Sequence, residues 1–224
     1  MNGRVEAVLM RTLAVAARTA GATLMTLACA PANDRPASLA ALGDSLTARY
    51  RLSFSYPDLL ARWRGIPVHN FGVSGNTTAQ MLDRLDDVLA SGPTPQVVVI
   101  LGGTNDIARG MPVEDALANL RTIAERVRDS GRRPVLVCPP PSGSFRRERA
   151  EALRAGLRDY ARGQGFVFVD PWPAMEDPGR RGWSRPELAL DVLHPNERGQ
   201  YVIAEQIALA LGWPVPPSYG RGRE

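Results

Sequence analysis

The sequence predicts a three-layer α/β domain built around a sheet of about five parallel strands, and three observations carry that expectation. From about residue 37 onward, short apolar runs alternate with amphipathic helical patterns, as strands wrapped by helices do. One run, Val97-Val98-Val99-Ile100-Leu101, is apolar on both faces, as a central strand covered on each side must be. Polar, glycine-containing segments follow the first three runs directly, and in an open doubly wound sheet such segments meet in one crevice at the carboxyl edge.

Each element has its own justification. The apolar runs place strands at 38–43, 67–71, 96–102, 134–139 and 166–169. Tyr56, Leu59, Leu60 and Trp63 share one helical face; Met81, Leu82, Leu85, Val88 and Leu89 share a second; Val113, Leu117, Leu120, Ile123 and Val127 share a third. A fourth helix carries Ala150, Leu153, Leu157 and Tyr160, and a last one carries Ile203, Ile207 and Leu211. Pro57 and Pro112 stand where first-turn prolines are tolerated, and Gly65, Gly92 and Gly131 fall just past helix ends. The stretch 170–195, rich in Pro, Gly and Trp without periodicity, reads as a long ordered loop, and loops of that length are often functional. No internal repeat or interdomain linker divides residues 36–213, and 214–224 reads as a frayed tail.

Composition narrows the function. The chain has 224 residues, 44% apolar and 22% charged, which excludes collagenous, low-complexity and disordered classes. Two cysteines, Cys29 and Cys138, cannot make a disulfide framework, and with His69 and His194 they show no zinc spacing; no metal or cofactor is expected. All 27 basic residues are arginine, spread along the chain among Asp and Glu, so the basic stripe with interleaved aromatics that nucleic-acid binding needs is missing. No stable protein partner is implied, and a monomer is expected. At the amino terminus Arg4, Arg11 and Arg18 precede an apolar run ending in Ala28-Cys29-Ala30-Pro31-Ala32, the order of a secretory signal peptide over residues 1–32. That reading places the protein in the periplasm or outside the cell; a lipid anchor on Cys29 is the less favoured version, since Leu27 sits one place too close to the cysteine. Removing residues 1–30 takes away three arginines and one glutamate and lowers the net charge from +4 to +2.

The chemistry-bearing segments are Gly43-Asp44-Ser45-Leu46, Gly72-Val73-Ser74-Gly75-Asn76 and Gly102-Gly103-Thr104-Asn105-Asp106. None fits a phosphate loop or a dinucleotide fingerprint, and the G-x-S-x-G elbow is absent. A serine nucleophile needs a base, and His194 lies three residues after Asp191 in Asp191-Val192-Leu193-His194, so one loop supplies a base and the carboxylate that orients its ring. His69, flanked by apolar residues in a strand pattern, reads as structural. Asp44 and Asp106 read as capping or loop hydrogen-bonding groups. The arginines 146, 147, 149, 154, 158 and 162 alternate with acids and read as a solvated helix face. Trp172 and Trp183 either wall an acyl pocket or cover the sheet edge.

In that order and placement, the four segments resemble the sequence blocks of the GDSL family within the SGNH hydrolase clan, across residues 38–212. The resemblance implies a flavodoxin-like sheet and a serine hydrolase in which Ser45 is the nucleophile, His194 the general base and acid, and Asp191 the residue that fixes its tautomer. It also implies an oxyanion hole formed by the backbone N–H groups of Ser45 and Gly75 and the side-chain amide of Asn105. Arg49-Tyr50-Arg51 after the serine block further resembles small bacterial periplasmic thioesterase, lysophospholipase and arylesterase enzymes. Thr104, which separates the glycine pair from Asn105, departs from those enzymes and matches the wider family. The implied substrates are small acyl esters, thioesters or lysolipids. Two alternatives stand beside this: a carbohydrate O-acetyl esterase with the same chemistry, and an inactive flavodoxin-like binding module.

Overall fold

The structure, a computed structural model, describes residues 38–143 and 146–217. The expected leader at 1–32, with Cys29, and residues 218–224 lie outside them. Five strands, β1 (Leu39–Gly43), β2 (Val68–Gly72), β3 (Val97–Leu101), β4 (Arg133–Val137) and β5 (Val167–Val169), form one parallel sheet in the order β2-β1-β3-β4-β5. The chain moves outward from β1 to β2 and returns on the other side of β1 as β3. The strand order therefore reverses between β1 and β3, where the crevice of a doubly wound sheet opens.

Helices cover both faces of the sheet because alternate strand residues point opposite ways. Leu39 and Ala41 of β1, with Val97, Val99 and Leu101 of β3, pack against Tyr56 and Leu60 of α1 (Tyr56–Arg64) and, through a helix near the chain's end, against Ile203 and Ile207. Ala40, Leu42, Val98 and Ile100 face the other layer. It comprises α2 (Thr78–Asp83), α3 (Leu85–Ala90), the long α5 (Val113–Asp129) and α6 (Arg147–Gln164), which contribute Met81, Leu85, Leu120, Ile123, Leu153 and Leu157. Each fully buried Leu or Ile stabilises the fold by roughly 1.5–3 kcal/mol relative to exposure, which is why both faces of β1 and β3 read as apolar. The short α4 (Thr104–Ala108) follows β3, α7 (Trp172–Met175) follows β5, and α8 (Glu197–Ala210) closes the fold. Among the described residues no helix is long and apolar enough to cross a membrane.

The structure departs from the sequence expectation in four places. The stripe from Met81 to Leu89 belongs to two helices that break at Arg84, the cap shared by α2 and α3. The apolar spacing runs across the break, so periodicity alone reads it as one helix. Helix α4, five residues long, is too short for a periodic signal. The loop 170–195 contains α7, a two-stranded antiparallel hairpin of β6 (Glu176–Asp177) and β7 (Arg180–Ser184), and a 3₁₀ turn at Pro186–Leu188. Residues 214–217 are held in place: Val215 packs on the core and the Tyr201 hydroxyl donates to the Pro216 carbonyl at 2.9 Å.

Candidate active site

Four connections converge at the carboxyl edge beside the β1/β3 reversal. β1 ends at Gly43, where a Cβ would collide with the Thr47 side chain and lie 2.6 Å from the Leu101 carbonyl oxygen. The chain then turns sharply, with Ala48 N–H donating to the Asp44 carbonyl at 3.0 Å and Leu46 N–H to the Asp44 carboxylate at 2.9 Å. This turn holds Ser45 at the strand end, 6% exposed. Its Oγ lies 3.0 Å from His194 Nε2, across 149 residues of sequence.

His194 comes from the connection between the 3₁₀ turn and α8. That loop is closed by Leu190 N–H donating to the His194 carbonyl at 2.8 Å and Asn196 N–H to the Leu188 carbonyl at 2.9 Å. Asn196 caps α8 by accepting from Arg198 and Gly199 N–H, while its amide donates to the Glu187 and Ala189 carbonyls. Asp191 accepts from the Leu193 and His194 backbone N–H groups at 2.9 and 2.8 Å and from His194 Nδ1–H at 2.9 Å. Partial burial raises the Asp191 carboxyl, but these donors outweigh it and hold the group below its ordinary 3.8. With Nδ1 donating to a carboxylate, Nε2 is the ring nitrogen left to accept from Ser45 Oγ–H. Tyr50 stacks on the His194 ring, centroids 4.1 Å apart. Gln200 on α8 accepts from Tyr56 N–H at 2.8 Å and donates to the Leu46 carbonyl at 3.1 Å, tying the histidine side of the site to the serine turn.

The connection after β2 carries Gly75 with φ +80°, a conformation glycine adopts without steric cost. Arg84 Nε donates to Asn76 Oδ1 at 2.8 Å and its Nη2 to the Gly43 carbonyl at 2.7 Å, and Arg109 donates to the Gly75 carbonyl at 2.8 Å. Asn105, on α4, donates its amide to the Asn76 carbonyl at 2.9 Å and to Asp44 Oδ2 at 3.3 Å. Asn105 thus bridges the residue before Ser45 and the residue after Gly75. Burial pushes the Asp44 carboxyl up from 3.8 to about 7, with Leu46 N–H and the Arg84 charge opposing and Asp106 adding to the rise. Asp106 accepts from Thr78 N–H and Oγ1–H at the start of α2.

The structure therefore brings Ser45, His194, Asp191, Gly75 and Asn105 to one edge and leaves His69 elsewhere, on β2 beside Phe71. Asp44 and Asp106 make loop and helix-end hydrogen bonds, and Asp44 also meets Asn105. Among the α6 arginines, Arg154 is half-buried and forks onto Asp170, rather than standing solvated. The two tryptophans part: Trp172 is buried, donating to the Pro139 carbonyl at 2.7 Å. Trp183 lines an open depression of about 300 Å³ with Asp177, Arg180, Pro186, Asp191 and Val192. Tyr50, Arg84 and Arg109 were not legible as site residues. Gln200 left a signal, a polar residue three before Ile203 on the core-facing spacing of the last helix.

Residues 41–202 match the model of the GDSL-like lipase/acylhydrolase family. The chain is 30% identical over 191 residues to an arylesterase of Vibrio mimicus, spanning 80% of this chain and 90% of that protein. It is 33% identical over 178 residues to thioesterase 1/protease 1/lysophospholipase L1 of Escherichia coli K12, spanning 78% and 83%. Solved structures with the same fold include a G-D-S-L family lipolytic protein from Desulfitobacterium hafniense DCB-2, with TM-score 0.70 at 23% identity over 78% of this chain and 99% of that one. An acetylxylan esterase from Geobacillus stearothermophilus aligns with TM-score 0.68 at 23% identity, over 79% and 94%.

Proposed function

The chain belongs to the GDSL-like lipase/acylhydrolase family of the SGNH clan, a hydrolase of ester bonds, and from that premise we propose that it cleaves small carboxylic esters and thioesters through an acyl-serine on Ser45. The observation that carries this reading is the continuous chain from Asp191 through His194 Nδ1 and Nε2 to Ser45 Oγ, with steps of 2.9 and 3.0 Å.

Ser45 Oγ attacks the carbonyl carbon as its proton passes to His194 Nε2, and Asp191 stabilises the imidazolium so formed. The tetrahedral oxyanion draws on the N–H groups of Ser45 and Gly75 and on the Asn105 amide. One Asn105 hydrogen already faces the Asp44 carboxylate over 3.3 Å, a long contact that an oxyanion competes with readily. Collapse breaks the bond to the leaving oxygen or sulfur, which takes the proton from His194. Water then attacks the acyl carbon with His194 as base, and Ser45 leaves with the proton returned, releasing a carboxylic acid.

Aryl esters, thioesters and lysophospholipids form the first substrate class, supported by the relatives at 30–33% identity. Removal of acetyl groups from carbohydrate is a second reading, since an acetylxylan esterase from Geobacillus stearothermophilus shares the fold. We place the enzyme in the periplasm or outside the cell on the strength of the amino-terminal pattern. The test is labelling of the purified protein with a fluorophosphonate and mapping of the adduct, followed by turnover of p-nitrophenyl acetate, an acyl-CoA, a lysophospholipid and an acetylated xyloside. An adduct on a residue other than Ser45, or turnover of none of these esters, overturns the reading.

A further inference from the structure

Three segments supply the donors proposed for the oxyanion: the Ser45 turn after β1, the Gly75 turn after β2, and Asn105 on α4. Donors of this kind stabilise developing charge only when they are fixed against one another beforehand. Between the first two segments stands Arg84. Its Nε donates to Asn76 Oδ1 at 2.8 Å and its Nη2 to the Gly43 carbonyl at 2.7 Å. That carbonyl is the last of β1, two residues before Ser45, and it also accepts from Val73 N–H at 3.1 Å. Asn76 offers its own carbonyl to the Asn105 amide at 2.9 Å. One guanidinium therefore meets the serine strand and the Gly75 turn directly, and Asn105 through a single residue.

The Gly75 turn has little stiffness of its own. Asn76 N–H donates to the Val73 carbonyl at 3.1 Å, and Gly75, third of these four residues, has φ +80°. A glycine there leaves many backbone conformations open, so the placement of the turn relative to Ser45 depends on its outside bonds. Val73 fastens the start of the turn to β1, and Arg84 fastens its end.

The path of the chain delivers Arg84 to this point. α2 and α3 break at it, with φ −105° and ψ 13°, although the apolar spacing of Met81, Leu85 and Val88 continues across the break and does not call for one. Nor is the side chain held by an ion pair: among the described residues no carboxylate lies within ion-pair distance of it. Burial works against its charge, with Asp44 and Asp87 opposing from further off. A half-buried guanidinium bonded to a carbonyl and an amide oxygen gives up hydration without a direct counter-charge. What it supplies is a rigid planar fork whose donors point in fixed directions, which a lysine lacks.

We propose that Arg84 is the positioning residue of the oxyanion hole, holding Asn76, and through it Gly75 and Asn105, in register with the end of the serine strand. The inference rests on the ester-hydrolase reading of Ser45 and His194 and adds to it a residue that acts through its neighbours.

The experiment measures kcat and KM on p-nitrophenyl acetate, together with inhibition by a short alkylboronic acid, whose tetrahedral adduct on the serine places an oxygen where the oxyanion forms. The proteins are full-length wild type, Arg84→Met and Arg84→Lys, each assayed well below its unfolding midpoint. Arg84→Met keeps the stem and removes the donors, and kcat is expected to fall about 10²-fold through misplaced groups. KM should change by less than about twofold, since the affected interactions belong to the transition state. The boronate inhibition constant should rise in step with the loss of kcat/KM. Arg84→Lys restores one donor without the fork and should lose only about tenfold. Wild-type kcat in either folded variant, a loss confined to KM, or a fall in kcat with unchanged boronate affinity overturns the proposal. If Arg84→Met does not fold, Arg84→Lys decides, and kcat within about twofold of wild type overturns the proposal, the fork having then added nothing. A wild type that turns over no ester is instead the failure of the hydrolase reading itself.

Discussion

The serine side and the histidine side of the site are built on opposite principles. Ser45 sits at the end of a strand covered on both faces, beside Asp44, which is fully buried, and within a turn that only a glycine at 43 allows. His194 and Asp191 ride on a surface loop in which Val192 is 64% exposed. Sheet topology holds the first; hydrogen bonds through Asp191, Asn196 and Gln200 hold the second. Under the proposed mechanism, a site divided this way has a sheet-held half that would set where the carbonyl sits and a hydrogen-bonded half that would set whether a proton can move. Losses on the two sides therefore differ in kind, and the substitutions below test that division.

The largest effect belongs to Ser45→Ala, which should cut kcat by about 10⁴ or more with the unfolding midpoint unchanged, because a small hydroxyl contributes little packing. Wild-type-like turnover would break the assignment of the sheet-held half. Asp191→Asn follows, with a loss on the order of 10⁴ at neutral pH through the wrong histidine tautomer. The wild-type Asp191 carboxyl is held below 3.8, so it stays charged across the working range and adds stability that is lost only as pH falls through that lowered value. Wild-type kcat/KM in a folded His194→Ala variant would remove His194 from the role of base.

Asn105→Ala should lower kcat by about 10² to 10³ with little change in KM, since its amide serves chiefly the transition state. An equal loss in ground-state binding would make Asn105 a residue that positions substrate. Asp44 allows a sharper test of the sheet-held half. The folded protein keeps the Asp44 proton up to about 7 while the unfolded chain releases it near 3.8, so this group's contribution to stability falls as pH rises between those values. The shift corresponds to about 4 kcal/mol. Asp44→Asn should therefore gain stability relative to wild type as pH rises from about 4 to about 7 in denaturant titrations; equal pH dependence in the two proteins would contradict a buried, raised carboxyl. The smallest effect is expected on the loop side: Asn196→Ala removes the α8 cap and should cost about 1 kcal/mol. If the cap also positions His194, kcat falls by more than Ser45 labelling by a small fluorophosphonate does.

Much of this architecture was legible in the sequence. The five strands lie within one or two residues of their expected places, because a run such as Val97 to Leu101 carries its two-sided burial in its own composition. The blocks holding Ser45, Gly75 and Asn105 stood out as glycine-containing segments after apolar runs, and Asp191 and His194 as a carboxylate–imidazole pair before a helix, while their proposed roles came from the resemblance to the GDSL family. The break at Arg84 was not, since Met81, Leu85 and Val88 keep their spacing across it. Nor was the hairpin at 176–184, whose first strand is two residues long.

What the sequence by itself determined is the set of elements and their order, since periodicity and glycine placement are local properties that each segment carries unaided. Only the tertiary structure decided which polar groups meet. The Asp44–Asn105 contact, the Arg84 bridge between Gly43 and Asn76, the Tyr50–His194 stack and the Gln200 tie all join residues far apart in the chain or on different connections. A hydrogen bond depends on positions to within a few tenths of an ångström, and those positions are set by how the sheet twists and where each connection returns, which no single segment encodes.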